Sequence, residues 1–338
     1  MEIFSSSYLT EIFGAIDVGP GFFLSYFPYS QTHAQDLIAF DERQDSLLVT
    51  PYAHPRAEAP TIEKESYKTR YLKPAYLKDK REFNPHELSY RSFGESITAN
   101  LSKEERLELA LMSVLKEQKE FFFRRLEQMA CEVITSGKLS IVSSTIAYAI
   151  DFQRDPSLNV KLSEKDLWTA DKADILDQIE EWSSRCLDKS GATVDTIVMG
   201  KKAWAAFRKN KSVKDLLDLR RGDSSTVDVA PSLIGKGVSY KGLFGEYKIL
   251  VHMGKYADPH SQQIKAFISE TSVVLLSSHI EGVRHFGAIQ DFEANLMAVP
   301  FFVKKIIKDD PSAMYLLAQS SPLLIPGRVN ASLCAEVL

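Results

Sequence analysis

The feature that most constrains the fold of this chain is a long amphipathic segment between residues 102 and 136. Ser102 and Glu105 form a capping-box pattern at its start, and Gly137 stands where helices usually end. Charged side chains, Lys119 among them, are predicted to cover the outward faces of this helix. Apolar side chains recur at steps of three, four or seven residues, the spacing of one helical stripe. They are Leu107, Leu111, Leu115, Phe122, Leu126, Met129 and Val133.

At about 1.5 Å per residue this helix is about 50 Å long, which exceeds the usual globular range. Its stripe is not a sustained heptad, and the three successive phenylalanines at residues 121–123 are bulky for a coiled-coil seam. The pattern therefore predicts a single spine helix, over about residues 102–136, packed on a sheet.

The chain before this helix falls into two parts. Residues 1–40 are rich in aromatic side chains and are interrupted by Gly and Pro. They predict an arm with a short helix near Tyr8–Ile16, buried either against its own domain or against a neighbouring subunit. Residues 41–100 contain five prolines and many charges, a composition that buries little apolar surface. They predict a long loop or two-stranded extension, with extended pieces at Leu47–Val49 and Tyr67–Tyr71.

After the spine helix, strands and helices alternate. Two strands are predicted between Leu139 and Phe152, a helix with one apolar stripe over Leu167–Leu187, and a buried strand over Asp195–Met199. This order predicts a compact mixed α/β lobe followed by a return to strands. The remaining elements are short helices over Lys201–Lys209 and Ser212–Leu219, and strands over Tyr247–His252, Gln263–Ile268, Ser272–Leu276 and within Ala313–Ile325.

Charge and cysteine content argue against several classes of protein. The 41 basic and 45 acidic residues give a formal net charge of −4, whereas a dedicated nucleic-acid binder usually carries a basic excess. The three cysteines form no C-x-x-C pair, so a disulfide framework or zinc site is not expected and a reducing cytosol fits best. With no secretory signal and no apolar run of about 18 residues, we expect a soluble protein, cytoplasmic at synthesis, with no membrane partner.

No catalytic, cofactor or metal site is predicted. The nearest approach to a metal cluster is His279, Glu281 and His285, which we interpret as incidental polar residues in a strand or turn. Glycines between residues 235 and 245 lie between predicted strands, so we interpret them as turn glycines and not as a phosphate loop. Negative charge near the start of the predicted 167–187 helix is interpreted as a solvated face. It comes from Asp171, Asp174 and Asp177.

Two charged features leave alternatives open. Arg220 and Arg221 follow a predicted helix, and they either bind a phosphate or partner carboxylate or cap the carbonyl end of that helix. Between Lys64 and Arg81, basic residues alternate with tyrosines, as in proteins that bind single-stranded nucleic acid. Acidic neighbours dilute this signal, and a solvated loop in contact with a neighbouring subunit fits equally well.

Several short segments, in one order along the chain, carry a resemblance to a known family. They are Tyr76–Lys78, Asn84–Pro85, Trp204–Phe207, Leu219–Gly222, Val238–Gly245, Gly287–Asp291 and Gln319–Leu323. Three of them read V-S-Y-K-G-L-F-G, G-A-I-Q-D and Q-S-S-P-L. Together they resemble the major capsid proteins of the lambda phage head, the phage capsid E family. The similarity is dense from about residue 195 to 325 and thin before residue 75.

The resemblance implies an α+β fold of the Hong Kong 97 capsid type. By resemblance, residues 1–45 form an N-terminal arm and residues 46–95 an extended loop that lies across neighbours. A peripheral domain would comprise 96–165, including the spine helix, and 290–338, and an axial domain would comprise 166–289. The implied function is that of a major head protein of a tailed phage or prophage, without enzymatic activity. It would self-assemble into an icosahedral shell around double-stranded DNA.

The implied partners are other copies of the chain in pentamers and hexamers, a scaffolding protein, a decoration protein and a portal. The packaged double-stranded DNA would be enclosed without sequence-specific binding, and no cofactor is implied. The chain would occupy the host cytoplasm during assembly and the virion capsid afterwards, and no lysine is assigned to a covalent cross-link. The two alternatives are a small α/β hydrolase-like enzyme and a nucleic-acid-binding protein. Candidate assembly-interface or structural residues are Arg220, Arg221, Tyr240, Lys241, Gly242, Gly245, Gln290 and Asp291.

Overall fold

The computed structural model describes most of the chain, in twelve stretches. They are residues 5–19, 21–35, 37–43, 52, 67–83, 102–143, 146–170, 173–210, 212–213, 237–259, 261–310 and 313–338. The predicted strand at Leu47–Val49, the pair Arg220 and Arg221, and all but two residues of the predicted Ser212–Leu219 helix lie outside these stretches.

The described helices are α1 (Ser6–Ala15), α2 (Lys103–Ser136), α3 (Ile175–Ser190) and α4 (Lys201–Phe207), with 3-10 turns at Phe23–Tyr26, Pro156–Leu158 and Ser278–Ile280. None of these helices is both long enough and apolar enough to cross a membrane. The strands of the first half are β1 (Tyr29–Thr32), β2 (Ile38–Arg43), β3 (Tyr67–Leu72), β4 (Leu77–Phe83), β5 (Lys138–Val142), β6 (Ala147–Asp151), β7 (Asn159–Lys161) and β8 (Thr196–Met199). Those of the second half are β9 (Val238–Phe244), β10 (Tyr247–His252), β11 (Lys255–Ala257), β12 (Ile264–Ala266), β13 (Ser272–Leu276), β14 (Val283–Phe286), β15 (Phe302–Lys308), β16 (Ala313–Ser320), β17 (Pro322–Ile325) and β18 (Ser332–Glu336).

Helix α2 is the spine that the periodicity predicts. Its 34 residues begin after Ser102, whose side chain accepts from the Glu105 amide while the Glu105 carboxylate accepts from the Ser102 amide. It ends at Gly137, which adopts a left-handed conformation with φ 71°. Six members of the predicted stripe are buried and Leu107 is half-buried. The predicted capping box, C-terminal glycine and apolar face are therefore confirmed.

A six-stranded sheet, in the order β7-β18-β13-β8-β10-β9, lies between α2 and α3. Its central strands β8 and β13 are buried along their whole length, because both faces of the sheet are covered. Val198 and Val274 pack in the core that contains the C-terminal half of α2. Ile197 and Val273 point the other way, into the core formed with α3 and α4.

A second, three-stranded antiparallel sheet, in the order β15-β16-β4, covers the N-terminal half of α2. Leu111 and Leu115 of α2 share a core with Leu316 of β16, and α1 closes this core with Leu9 and Phe13. Smaller sheets complete the fold: β1-β14-β17 and the pairs β2-β3, β5-β6 and β11-β12. Helix α2 thus lies under two sheets at once.

The boundaries of several predicted elements were wrong. The predicted 167–187 helix begins only at Ile175, because the Asp174 side chain caps it by accepting from the Asp177 amide. The preceding turn is anchored separately, with Trp168 buried and its indole N–H donating to Gln178. Asp171 lies outside the described residues. The predicted 263–268 strand shortens to β12. The stretch 313–325, predicted to contain a strand, contains two, β16 and β17, which belong to different sheets.

Arg154 joins the C-terminal end of α2 to the six-stranded sheet. Its guanidinium is buried and donates to the carbonyls of Ile134 at 2.7 Å and Ser332 at 2.6 Å. A third bond of 3.2 Å reaches the carbonyl of Leu158. Burial lowers the pKa of Arg154 to about 10, so the side chain keeps its charge at neutral pH. Carbonyl dipoles at a helix end stabilise such a cation.

Two buried charges of α2 hold the N-terminal segment. Lys119 was predicted to be exposed, but it lies four residues after Leu115 and three before Phe122, on the buried stripe. Its ammonium donates to the carbonyls of Phe13 at 2.7 Å and Gly14 at 2.8 Å, at the C-terminal end of α1. A cation at this position satisfies carbonyls that a helix leaves without partners.

Glu127 carries the opposite charge and binds backbone amides, at the start of the 3-10 turn Phe23–Tyr26. Its buried carboxylate accepts from the amides of Phe23 and Leu24, each at 2.8 Å. A Cβ at Gly21 would overlap this carboxylate, so the close approach requires glycine. Burial raises the pKa of Glu127, and the backbone amides of the turn oppose that shift. Lys119 and Glu127 therefore fix the N-terminal segment to α2 at two points.

Replacing Glu127 with Ala should detach the 3-10 turn from α2. Two buried amides then lose their acceptor, at a cost of about 1–3 kcal/mol each. We expect the free energy of unfolding of the unassembled subunit to fall by roughly 3 kcal/mol, with faster hydrogen exchange at Phe23 and Leu24. The control is Glu108→Ala on the exposed side of the same helix. Equal exchange rates at Phe23 and Leu24 in both variants would rule out this anchor.

Candidate functional site

The carboxylate of Asp291 gathers donors from three parts of the chain. Lys304 of β15 approaches both oxygens, at 2.9 Å and 2.7 Å. Gln319 of β16 donates its side-chain amide at 2.7 Å, and the backbone amide of Glu293 donates at 3.0 Å. The segment that follows β14 is therefore bound to both strands of the β15–β16 hairpin.

Tyr76 extends this network to the base of β4. Its hydroxyl donates to the side-chain oxygen of the buried Gln319 at 2.9 Å and accepts from the backbone amide of Gln290 at 3.1 Å. We call the five residues Tyr76, Gln290, Asp291, Lys304 and Gln319 the Asp291 node. It brings together three segments that are far apart in the sequence and that carry the family resemblance.

A second contact next to the node joins two of the same segments. The amide of Gly287 donates to the carbonyl of Ser321 at 2.8 Å. A Cβ at Gly287 would stand 3.0 Å from Pro74 Cγ and 3.1 Å from Ser321 Oγ, so a larger residue would push the segments apart. The sequence segments 287–291 and 319–323 are therefore packed directly against each other.

The chemistry of the node is that of a structural joint. Burial raises the pKa of Asp291, but hydrogen bonds from Lys304, Gln319 and the Glu293 amide outweigh it and hold the pKa below its usual range. Each oxygen already has at least two donors, so the carboxylate is fully engaged. Ion-pair networks of this kind shift pKa values without a catalytic role.

The other predicted residues lie on the β9–β10 hairpin. Tyr240 is half-buried against the core that contains α2, and Lys241 is exposed. A bulge separates the pairs Tyr240–Leu250 and Gly242–Ile249, and Gly242 has a φ of 138°. Gly245, with φ 59°, makes the turn. The interpretation as turn glycines is confirmed for Gly237 and Gly245, whereas Gly242 lies within β9 at the bulge and Gly235 lies outside the described residues.

This hairpin and the Asp291 node occupy different sheets. The hairpin forms one edge of the six-stranded sheet, whereas the node borders the β15-β16-β4 sheet. Of the predicted site residues, only Gln290 and Asp291 belong to the node. Their partners Tyr76, Lys304 and Gln319 were not among the predicted site residues. The sequence does not identify Lys304 as a site residue, because no local pattern indicates that it pairs with Asp291.

The histidines do not form the cluster that was considered. His285 is buried and its Nδ1 lies 2.8 Å from Nε2 of His33, while His279 is exposed in the 278–280 turn. Burial, with a smaller contribution from His33, lowers the pKa of His285 to about 4. Within the described stretches, no three His, Cys, Asp or Glu side chains are grouped to hold a metal ion.

Comparison with known proteins decides the family. Residues 5–337 match the model of the family described as phage major capsid protein E. The chain belongs to this family. It is 28% identical to the major capsid protein of Escherichia phage lambda over 280 residues, 81% of each chain. It is 26% identical to that of Enterobacteria phage P21 over 299 residues, 87% of this chain and 86% of the relative.

Solved structures identify the capsid fold. A structure assigned as the capsid protein of an Escherichia coli CFT073 prophage aligns with a TM-score of 0.76 and 23% identity, over 98% of this chain and 99% of that one. A phage-related protein from Bordetella bronchiseptica aligns with a TM-score of 0.53 and 13% identity, over 98% and 96%. The predicted α+β capsid fold of Hong Kong 97 type is confirmed. Because phage major capsid protein E is a structural family, the prediction that the chain is not an enzyme is also confirmed.

The Asp291→Asn substitution should change how the stability of this capsid protein depends on pH. A lowered pKa in the folded state means that the carboxylate stabilises the fold above the unfolded value, about 3.9, and stops doing so as pH falls through the folded value. We expect the variant to be less stable by roughly 2 kcal/mol at pH 7, since hydrogen bonds to charged groups contribute about that much.

The measurement is denaturant unfolding of the unassembled subunit between pH 7 and pH 3. The stability difference between the parent chain and Asp291→Asn should shrink as the solution becomes acidic. Asp309→Asn, in an exposed turn, is the control and should change little at any pH. A difference that stays constant across the range would refute the assigned role of the Asp291 charge.

Proposed function

We propose that copies of this chain assemble, through pentamers and hexamers, into the icosahedral head of a tailed phage or prophage. The observation that carries the proposal is the match of residues 5–337, nearly the whole chain, to a family of major capsid proteins. The role is mechanical: the subunit contributes shape and contact surfaces. The shell encloses double-stranded DNA.

We further propose that the chain has the four units that the resemblance implies. They are an arm (1–45), an extended loop (46–95), a peripheral domain (96–165 with 290–338) and an axial domain (166–289). The pairing of β2 with β3, Ile38 opposite Leu72, supports a two-stranded root for the extended loop. The common core of α1, α2 and the β15–β16 hairpin supports a peripheral unit built on the spine.

Open sheet edges support contacts between copies. Within the described residues, β9 has a neighbour on one side only, and so do β1 and β15 in the smaller sheets. Such edges present backbone groups and exposed side chains to a neighbouring chain. An asymmetric contact between two different surfaces, repeated around an axis, closes a ring. Rings of five and six copies are the units from which the shell is built.

The charge of the subunit suits a container for DNA. Tight binding to a duplex depends on neutralising phosphates with Lys and Arg, and the chain has a formal net charge of −4. The DNA is therefore enclosed without sequence-specific binding. A scaffolding protein, a decoration protein and a portal are the further partners of the proposal, and the cytoplasm of the host is the place of assembly.

Negative-stain electron microscopy tests the assembly directly. Co-expression of this chain with a scaffolding protein from the same phage or prophage should yield round particles of uniform size. Association should weaken with added salt, because exposed charged groups contribute to the contacts. Persistent monomers at every protein and salt concentration would overturn the proposal.

The assembled particle should contain no covalent links between subunits. After boiling in SDS, it should run on a gel as a single band near the 38.0 kDa mass of the chain. The matched control is unassembled subunit treated in the same way. A ladder of dimers and higher multiples in the particle sample alone would refute this prediction.

A further inference from the structure

The turn that follows the Asp291 node exposes three large apolar side chains. Phe292 is 98% exposed, and Leu296 and Met297 are also exposed. Single exposed apolar residues are common, but a contiguous group on a folded surface marks an interaction site. We call residues 292–297 the apolar tip.

The apolar tip is held rigidly. Ala294 is fully buried and packs with Ile289 and Phe302 under the turn. The amide of Ile289 donates to the carbonyl of Met297 at 3.2 Å, which closes the segment on itself. A contact surface that is fixed before binding loses less conformational freedom on association.

The backbone of the tip is also strained. Asn295 and Leu296 adopt successive positive φ values of 49° and 55°. Left-handed conformations are unfavourable for a residue such as Leu, and they cluster at functional sites. Leu296 is exposed in this conformation, as is Phe292 at the start of the tip.

A groove beside α2 offers a matching surface. It has a volume of about 590 Å³ and runs between α2 and the strands β4 and β5. Its apolar wall includes Phe121 and Val142, both exposed, and the buried Met129. We call it the α2 groove. Phe292 of the same chain does not fill it, because that side chain is almost entirely in solvent.

Two cations on the α2 groove have no carboxylate partner among the described residues. Lys78 lies 5.2 Å from the centre of the Tyr76 ring, and Arg125 donates to the neutral side chain of Gln128. The acidic residues of the groove are each engaged already. Asp79 binds Arg81, Glu132 accepts from the Ser140 amide, and Asp258 pairs with Lys265.

The apolar tip carries the complementary charge. Glu293, next to Phe292, is about half exposed, and its carboxylate accepts from the Ser6 hydroxyl and lies 3.7 Å from the ammonium of Lys304. Lys304 is closer to Asp291, so the charge of Glu293 is only partly balanced within its own chain. A half-exposed acid next to an aromatic anchor complements cations beside an apolar groove.

We propose that the apolar tip of one copy docks in the α2 groove of a second copy. This inference rests on the proposed function, which brings copies of the chain together. Phe292 enters the apolar part of the groove, and Glu293 meets Lys78 and Arg125. Each copy carries one tip and one groove, which is the arrangement of an asymmetric contact that can close into a ring.

Cysteine pairs test the contact. A Met297→Cys chain is mixed with a Val142→Cys chain of different tag length, assembled and oxidised. The docked geometry predicts cross-linked dimers of mixed tag length. The control pairs Val142→Cys with Met253→Cys, an exposed apolar position outside the tip and outside the open strand edges, and should give few cross-linked dimers. Equal yields from both pairs would overturn the proposed contact. Assembled particles that lack the disulfide between residues 297 and 142 would overturn it as well.

A second variant measures the affinity. Phe292→Ser should weaken association between subunits by about 30-fold, as for the loss of a buried aromatic anchor at an interface. Met253→Ser should stay within about twofold, the range of a position outside the contact. Because both residues are exposed, thermal melting of the free subunit should match the parent chain. A Phe292→Ser chain that associates normally would overturn the contact alone, whereas a parent chain that never associates would overturn the proposed function with it.

Discussion

The burial of one face of α2 is the constraint on which the rest of the structure depends. Its N-terminal half covers the β15-β16-β4 sheet, and its C-terminal half covers the six-stranded sheet. The same face carries two buried charges, Lys119 and Glu127. Isolated buried charges are strongly unfavourable, but here backbone carbonyls and amides at the ends of short helices stabilise them. The spine thereby fixes both the two sheets and the N-terminal segment.

The Asp291 node depends on this frame and adds a second joint to it. Lys304 and Gln319 can converge on Asp291 only because the β15–β16 hairpin is held flat against α2. The node in turn fixes the root of the apolar tip. A subunit of a shell must present its contact surfaces in one geometry in every copy, and a rigid joint below the tip meets that requirement.

The sequence predicts those features of the structure that depend on a local pattern of residues. The bounds of α2 follow from its stripe and caps. Strands β10 and β13 match because each contains a run of consecutive apolar residues, 249–251 in β10 and 273–276 in β13. Strand β15 escaped prediction, since three lysines interrupt any alternation along Phe302–Lys308. The prediction of an exposed Lys119 was wrong, because the carbonyls of Phe13 and Gly14 compensate the burial of its ammonium. The resemblance drew attention to Gln290 and Asp291, but their partners are set by tertiary pairing, which no local pattern records.

A cryo-electron microscopy reconstruction of the assembled particle, at a resolution that shows side chains, tests the central claim that α2 and its bound N-terminal segment form one unchanging frame. The account predicts a closed shell of repeated copies. In each copy, Lys119 and Glu127 should still hold that copy's own residues 13–24. A shell in which this segment has left α2 and packs only on a neighbour would contradict the account.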